Sequence, residues 1–346
     1  MRVIACDTQG SRDAAVDLAR HLVGRHVPAI LSDGSQETIA ASQVTIPAGV
    51  LLMAGASTAP EITDLIDAPN GGVGLVWRTT PSDVLQARVI ATELSSGGGP
   101  VPRVAVLTRD DAYGQGLYVA FAKLYTGANQ AFAYAPGGDV SMALAGAAAF
   151  SPEVVLVIGF PDDVVGILNG AAKIAAFDSA LWFFTQGAKF PDLFSSLDDP
   201  SLIEGAQGTS PASAATSSEA YLWFGAQYAG AFQVDPKTIV DVANVFDAAM
   251  LLAVGASYAL APGRSLDGHH LAEALTHVSA VGSGKKVPLD PPNFGKATGE
   301  LATADIDIEG ASGHLDFDND TGEAPADIEV WRVENGAFVT VKVVSP

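Results

Sequence analysis

The sequence predicts an α/β fold built as two doubly wound parallel-sheet lobes. Three observations predict it. Short apolar runs recur without polar alternation, which is how strands covered by helices on both faces read. Helical patterns separate them, usually after a turn rich in Gly, Ser or Asp. At roughly 100–200 residues per domain, a chain of 346 residues has room for two domains.

The strand runs are Val3–Asp7, Val27–Leu31, Val50–Ala54, Arg103–Thr108, Val154–Phe160 and Leu181–Thr185. Between them, Ala15, Leu18, Ala19 and Leu22 repeat at helical spacing, as do Leu117, Ala120, Phe121 and Leu124. The longest helix is expected to start at Asp235-Pro236, an N-cap followed by a proline at the first helical position. Its buried stripe would be Ile239, Val242, Phe246, Met250 and Ala253. After Asp305 the pattern turns to apparent strands at Gly313–Asp318, Asp327–Val333 and Phe338–Val344. Asn335-Gly336 is a hairpin signal between the last two. Ser95–Pro100 and Gly208–Ser218 are rich in small residues and break the rhythm. The first lobe is assigned residues 1–99 and 212–323, the second 100–211 and 324–346. The chain then crosses near 97–102, 208–213 and 320–327.

Composition narrows the function. Lys and Arg number 18 against 39 Asp and Glu, a net charge of −21. Only 16% of residues are charged while 48% are hydrophobic, which excludes a disordered acidic tail. A basic face for nucleic acid or anionic lipid is not expected. The single cysteine, Cys6, allows no intrachain disulfide and no thiolate zinc site. Placed at the end of a strand run, it reads as a small core residue. The apolar stretch at Ala248–Ala261, interrupted by Gly255, falls short of the roughly 18–20 residues of a membrane span. The first residues meet Asp7 too soon for a secretory segment, so an export signal or lipoprotein anchor is expected to lie outside this chain.

Motifs for chemistry are weak. Gly282–Lys286 lacks the spacing and terminal Ser/Thr of a phosphate loop. Gly71-Gly72-Val73-Gly74 precedes an apparent strand instead of opening a helix, so it is no dinucleotide fingerprint. Gly55-Ala56-Ser57-Thr58-Ala59 has the first glycine of a nucleophile elbow but Ala59 in place of the second. A serine hydrolase using Ser57 would also need a histidine and an acid nearby, and the sequence marks no such set. His21, His26, His269, His270, His277 and His314 read as surface or capping residues. Asp316, Asp318, Asp320 and Glu323 have calcium-loop spacing at first. Gly322 comes one residue late, however, and Asp327 stands where the loop needs Glu, so an acidic turn is the better reading. No catalytic residue, metal site or cofactor is expected.

The loops after the strand runs are more informative. They are Ser32–Ser35, Ala56–Thr58, Asp110–Gly114, Phe160–Asp162 and Gln186-Gly187. Ligands of open α/β sheets bind outside the carboxyl ends of the strands. Hydroxyls beside helix N-termini suit a carboxylate, though Ser35 and Thr58 also fit a plain N-cap role.

These residues carry a resemblance. Arg103-Val-Ala-Val-Leu-Thr-Arg-Asp-Asp-Ala-Tyr-Gly-Gln-Gly-Leu117 resembles the second-lobe opening of type I periplasmic binding proteins. Ile46–Asp64 resembles their first-lobe segment, and Phe246–Leu252 and Gly310–Asp318 also fit. The family is the branched-chain amino-acid (Leu/Ile/Val-type) substrate-binding proteins of ABC transporters, and the likeness covers nearly the whole chain. It implies an extracytoplasmic, monomeric protein without enzymatic activity. Two hinged lobes would close a cleft on a small ligand and deliver it to a membrane permease. Ser35 would hold the ligand carboxylate. Ala56, Ser57 and Thr58 would bind carboxylate and ammonium from the next loop. Tyr113 would close over the ligand, and Phe160 would add an apolar wall. Gln186 stands where the family usually places an acid to pair with the ligand ammonium, which implies a carboxylate or amide ligand without one. The family's first strand–helix unit is expected to be missing ahead of the segment matched by Met1–Asp7. A ligand-sensing module of the same fold, feeding a signalling partner, is the alternative.

Overall fold

The computed structural model describes residues 2–68, 71–97, 99–212, 217–280, 282 and 285–345. Gly98, residues 213–216, Ser283 and Gly284 lie outside the described residues, so parts of three expected loops are not covered. In chain order the first elements are α1 (Arg12–Gly24), β1 (Ala29–Ser32), α2 (Ser35–Thr45), β2 (Leu51–Ala54) and β3 (Val76–Arg78). There follow α3 (Asp83–Ser95), β4 (Val104–Arg109), α4 (Ala112–Leu124), β5 (Asn129–Tyr134), α5 (Ser141–Ala149), β6 (Val154–Ile158) and α6 (Pro161–Ala171). Next come β7 (Leu181–Phe184), β8 (Gln207–Pro211), α7 (Glu219–Phe232), α8 (Val242–Ala259) and α9 (Gly268–Thr276). The last are β9 (Lys285–Pro288), α10 (Phe294–Leu301), β10 (Ile306–Glu309), β11 (Ile328–Glu334) and β12 (Ala337–Val344).

The chain divides into two compact units. The first comprises the described residues of Met1–Ser82, Ser213–Pro236 and Asp241–Ala326. Its sheets are small and parallel: β1-β2-β3, and β10 paired with β9. Leu51, Met53, Leu75 and Trp77 meet Leu251, Val254, Leu271 and Leu275 of α8 and α9 in the core. The 18-residue α8 is apolar enough to pass as a membrane span by length and composition. Its buried face is this core.

The second unit comprises Asp83–Ala212, Lys237–Val240 and Asp327–Pro346 in its described residues. Its sheet has the order β12-β11-β8-β7-β6-β4-β5. The five strands from β8 to β5 run parallel, and β11 is antiparallel to both β8 and β12. Ala105, Leu107, Val155 and Val157 face one apolar layer, and Val104, Val106, Leu156 and Ile158 the other. That double coverage explains the absence of polar alternation in these runs. Asn335 and Gly336, at φ 54° and 70°, turn the β11–β12 hairpin with the left-handed pair such a turn requires. Opposite Gly208 the ladder places Trp331. A Cβ at Gly208 would fall 2.2 Å from the indole. The ring lies stacked on Phe184 with centroids 6.2 Å apart.

Several expectations need correction. Val3–Asp7 forms no strand: Val3 is 75% exposed and Cys6 is exposed too, not core. The ladder of β1 goes to β2, and no described segment pairs with residues 3–7; a single unpaired strand has no ladder to hold it. Asp235-Pro236 opens a 3-10 turn over Pro236–Thr238, not the long helix. Asp241 takes a left-handed φ of 66°, which interrupts helical geometry, and α8 begins only at Val242. Gly313–Asp318 makes single bridges at His314 and Asp318 instead of a strand. There the Phe317 N–H donates to the Ser279 hydroxyl, 3.0 Å away, not to a ladder. The run at Val154 stops at Ile158, because Phe160 caps α6.

Asp247, fully buried on α8, organises the loop after β10. It accepts from the N–H of Ala311 and from the N–H and hydroxyl of Ser312, at 2.8, 2.7 and 2.6 Å. Burial pushes its carboxyl up to about 7, against the pull of these hydrogen bonds. A carboxyl raised above its unfolded value of about 4 holds more protons in the folded state between those limits. Its stabilising contribution is whole below about pH 4 and is lost as the pH rises through about 7. The stability of wild type relative to Asp247→Asn, read by urea unfolding, should fall over that interval by up to about 1.4 kcal/mol per pH unit. A difference that stays flat with pH contradicts the assignment.

Candidate functional site

In the first unit the loops after β1 and β2 are joined by hydroxyls. Thr38 on α2 donates to Ser32 Oγ at 2.9 Å and shares a 2.7 Å hydrogen bond with Ser57 Oγ. Ser35 accepts from the Ala59 N–H at 3.1 Å, which leaves its own proton free to donate elsewhere. Neither Ser35 nor Thr58 is an N-cap: Gly34 caps α2, and Ala59 caps the turn at Pro60–Ile62. Ser35, Ser57 and Thr58 are buried, with Ser57 fully so, and Ala56 is half-buried. The partner of Ser57 is a hydroxyl, not the imidazole a serine nucleophile needs.

The residue that holds this cluster is Arg78, the last of β3. Its guanidinium donates to the carbonyls of Ser57 and Ala59 at 3.4 and 3.0 Å and to Thr63 Oγ1 at 2.8 Å. It is buried and ion-paired with Glu323, which also accepts from Thr63. Glu323 is one of the acids of the calcium-like spacing, and its role here is this ion pair. Beside it, Thr79 Oγ1 donates to the Asn244 carbonyl at 2.8 Å, and Asn244 Nδ2 returns a bond to the Thr79 carbonyl at 2.7 Å. Thr80 donates to Asp241, whose carboxyl burial pushes up to about 7, with Asp33 adding to the rise.

In the second unit a separate group forms at the carboxyl ends of β4, β6 and β7. Tyr113, in the first turn of α4, donates its hydroxyl to Thr185 Oγ1 at 2.9 Å. Its ring stacks on Phe160, with centroids 5.2 Å apart and planes 5° from parallel. Gln186 follows β7 and is buried, and its side-chain oxygen has no hydrogen-bond partner among the described residues. Gly187 lets this loop touch the next, since a Cβ there would lie 1.9 Å from the Gly159 carbonyl. Arg109, the last residue of β4, is ion-paired with Asp111 and Asp163. Asp163 also accepts from the N–H of Phe160 and Gly137 at 3.1 and 3.0 Å. The structure thus gathers Ser35, Ala56, Ser57 and Thr58 in one unit, and Tyr113, Phe160 and Gln186 in the other.

Thr38, Arg78, Arg109 and Asp163 were not singled out from sequence. Each arginine closes an apolar run at a strand end, Val-Trp-Arg and Val-Ala-Val-Leu-Thr-Arg, and that position was the available signal. Among the described residues no group of three or more His, Cys, Asp or Glu side chains is placed to hold a metal ion.

Two substitutions test the scaffolding. Arg78→Met leaves Glu323 unpaired and three oxygens without their donor. It should destabilise the first unit by about 3–5 kcal/mol and speed hydrogen exchange at Ala59; unchanged exchange refutes the role. Gly187→Ala should lower the melting temperature of the second unit by several degrees, at about 1–3 kcal/mol for a forced clash. An unshifted melt would show that the Gly159–Gly187 contact is dispensable.

The model of the periplasmic binding protein family matches residues 1–336. A leucine binding protein, LivK, from Thermotoga maritima superposes with a TM-score of 0.77 at 21% identity, covering 98% of this chain and 86% of that one. The branched-chain amino acid transporter substrate binding protein LivJ of Streptococcus pneumoniae, in complex with isoleucine, gives 0.73 at 19% identity, covering 100% and 87%. An ABC transporter solute binding protein from R. palustris, in complex with benzoate, gives 0.73 at 14% identity, covering 99% and 84%. Among curated proteins, no sequence matches the chain. At these identities the structural likeness speaks for the fold, a mixed α/β arrangement of parallel sheets and helices. With the match running over nearly its whole length, the chain belongs to the periplasmic binding protein family.

Proposed function

We propose that the chain is the solute-binding component of an ABC-type transporter. It works outside the cytoplasm as a monomer and hands its ligand to a membrane permease. The observation that carries this reading is the hydroxyl cluster after β1 and β2, seated at the start of α2. Ser35 keeps a donatable proton there, and a helix N-terminus favours an anionic group. The ligand is a small carboxylic acid or amide. The proposed ligand residues are Ser35, Ala56, Ser57 and Thr58 in the first unit and Tyr113, Phe160 and Gln186 in the second.

Gln186 supports a ligand without an ammonium group. A neutral amide oxygen offers an ordinary hydrogen bond, about 1 kcal/mol, where a carboxylate would offer roughly 1.5–3. Its oxygen, without a partner among the described residues, would accept the N–H of an amide ligand.

Calorimetric titration tests the proposal. Leucine, isoleucine and valine are compared with the 2-oxo acids of the same skeletons and with benzoate. The acids should bind at least tenfold more tightly than the amino acids. Tight binding of an amino acid with no binding of any ammonium-free acid overturns the ligand class. Absence of binding and of thermal stabilisation across acids, amides and amino acids overturns the transport reading.

A further inference from the structure

Two pieces of the first unit lack the partner their composition calls for. One is the outer edge of β1. The strand lies at the border of its sheet, in the order β1-β2-β3. The carbonyls of Pro28 and Ser32 accept from the N–H of Leu51 and Gly55 at 3.1 and 3.2 Å. By the two-residue period of a strand, Ala29 and Leu31 turn their N–H and C=O away from β2. No backbone group among the described residues meets them there. Such an edge accepts another strand unless charge, proline or a bulge blocks it. β12, at the border of the other sheet, has two of these safeguards, Lys342 and a register shift at Val330–Trp331. Ala29–Ser32 carries none, and Leu31 is 37% exposed.

The other piece is Val3–Cys6, four apolar residues that are all exposed. The turn that follows fixes where this segment starts from. Gln9 and Gly10 are left-handed, at φ 52° and 68°, and the Ser11 N–H donates to the Thr8 carbonyl at 2.9 Å. Gln36, in the first turn of α2, donates its side-chain N–H to the Gly10 carbonyl at 2.7 Å. The turn is thereby held beside the carboxyl end of β1. That is where a strand parallel to β1 and followed by α1 has to end. Handedness selects the side. β1, α2 and β2 form a parallel unit, and such crossovers are almost always right-handed. α1 packs along α2, on the same face of the sheet. A right-handed crossover through α1 then puts the preceding strand on the side of β1 away from β2.

We propose that Val3–Cys6 is a strap that closes onto the outer edge of β1 as a fourth parallel strand and so bars a second chain from adding there. The structure holds the strap open. Ordering four residues costs about what a short ladder and its apolar burial return, which leaves the two states near balance. The strap goes beyond the solute-binding reading and does not depend on it.

The test compares wild type with Ile4→Pro and Ala5→Pro on the full chain, at several protein concentrations. Hydrogen exchange of the Leu31 amide is followed by NMR. Both side chains are exposed with the strap open, so neither variant disturbs the fold. With the strap closed, neighbouring residues direct their N–H oppositely, one to β1 and one to solvent. The proline that removes the inward N–H should speed exchange at Leu31 by about fivefold or more, the worth of one net hydrogen bond. The other proline should be tolerated, as on any edge strand. Equal exchange in all three chains overturns the strap. Equal acceleration in both variants also overturns it, because it shows a contact without a ladder. Protection that fades on dilution shows pairing with a second copy and overturns it as well.

Discussion

Parallel strands end without a partner that continues their ladder. The loops that follow must be held by side chains, and in both units an arginine at the last position of a strand does so. Arg78 closes β3 and gathers two carbonyls, a threonine and Glu323. Arg109 closes β4 and gathers Asp111, Asp163 and the Phe160 ring. A guanidinium suits this place because its planar fork serves several oxygens at once and its charge does not titrate. Each carboxylate partner is itself tied to the backbone or to a hydroxyl. The loop positions are thereby fixed with little regular structure of their own.

The two units meet the same demand at different scales. The second has seven strands, so its core comes from stacked apolar layers on both faces of one sheet. The first splits its strands between a three-stranded and a two-stranded sheet. Its loops lean more on buried polar residues: Asp247 beneath the β10 loop, Asn244 against Thr79, and Arg78 with Glu323. Such groups are stable only when every donor and acceptor is matched, which makes the arrangement specific. The net charge of −21 is carried by relatively few charged residues, and several acids are spent in internal pairing.

The central strands were legible because burial on both faces writes itself as unbroken Val, Ile, Leu and Phe. Arg103–Thr108 and Leu181–Thr185 fall within a residue or so of β4 and β7. The edges were less so. Asn129–Tyr134 at one border is only partly buried and reads as a mixed segment, and Gln207–Pro211 is written in small polar residues because Trp331 lies across it. Val3–Asp7 looked like its neighbours, since local composition does not say whether a pairing partner exists. The start of the long helix is not legible at Asp235-Pro236, because an Asp-Pro pair starts a single turn as readily as a helix. What decides is the left-handed Asp241 further on. Around the loops, the strand-end rule drew attention to Ser35, Thr58, Tyr113 and Gln186. Arg78 escapes because its partner Glu323 is distant in sequence, and Arg109 because the neighbouring Asp111 reads as an N-cap while its second partner, Asp163, lies far along the chain; pairing across such separations has no periodicity.

The Gly208–Trp331 pair carries a consequence for how such a protein changes over time. The indole lies in the volume that a side chain at 208 would need, and it is stacked on Phe184 and set edge-on to Phe338. Space at one position and bulk at the other are a single inherited character. A descendant chain that enlarges residue 208 first, or shrinks residue 331 first, passes through a strained or hollow intermediate. The junction where the antiparallel hairpin joins the parallel sheet is therefore slow to drift, while the exposed face of β12 beside it is free to vary.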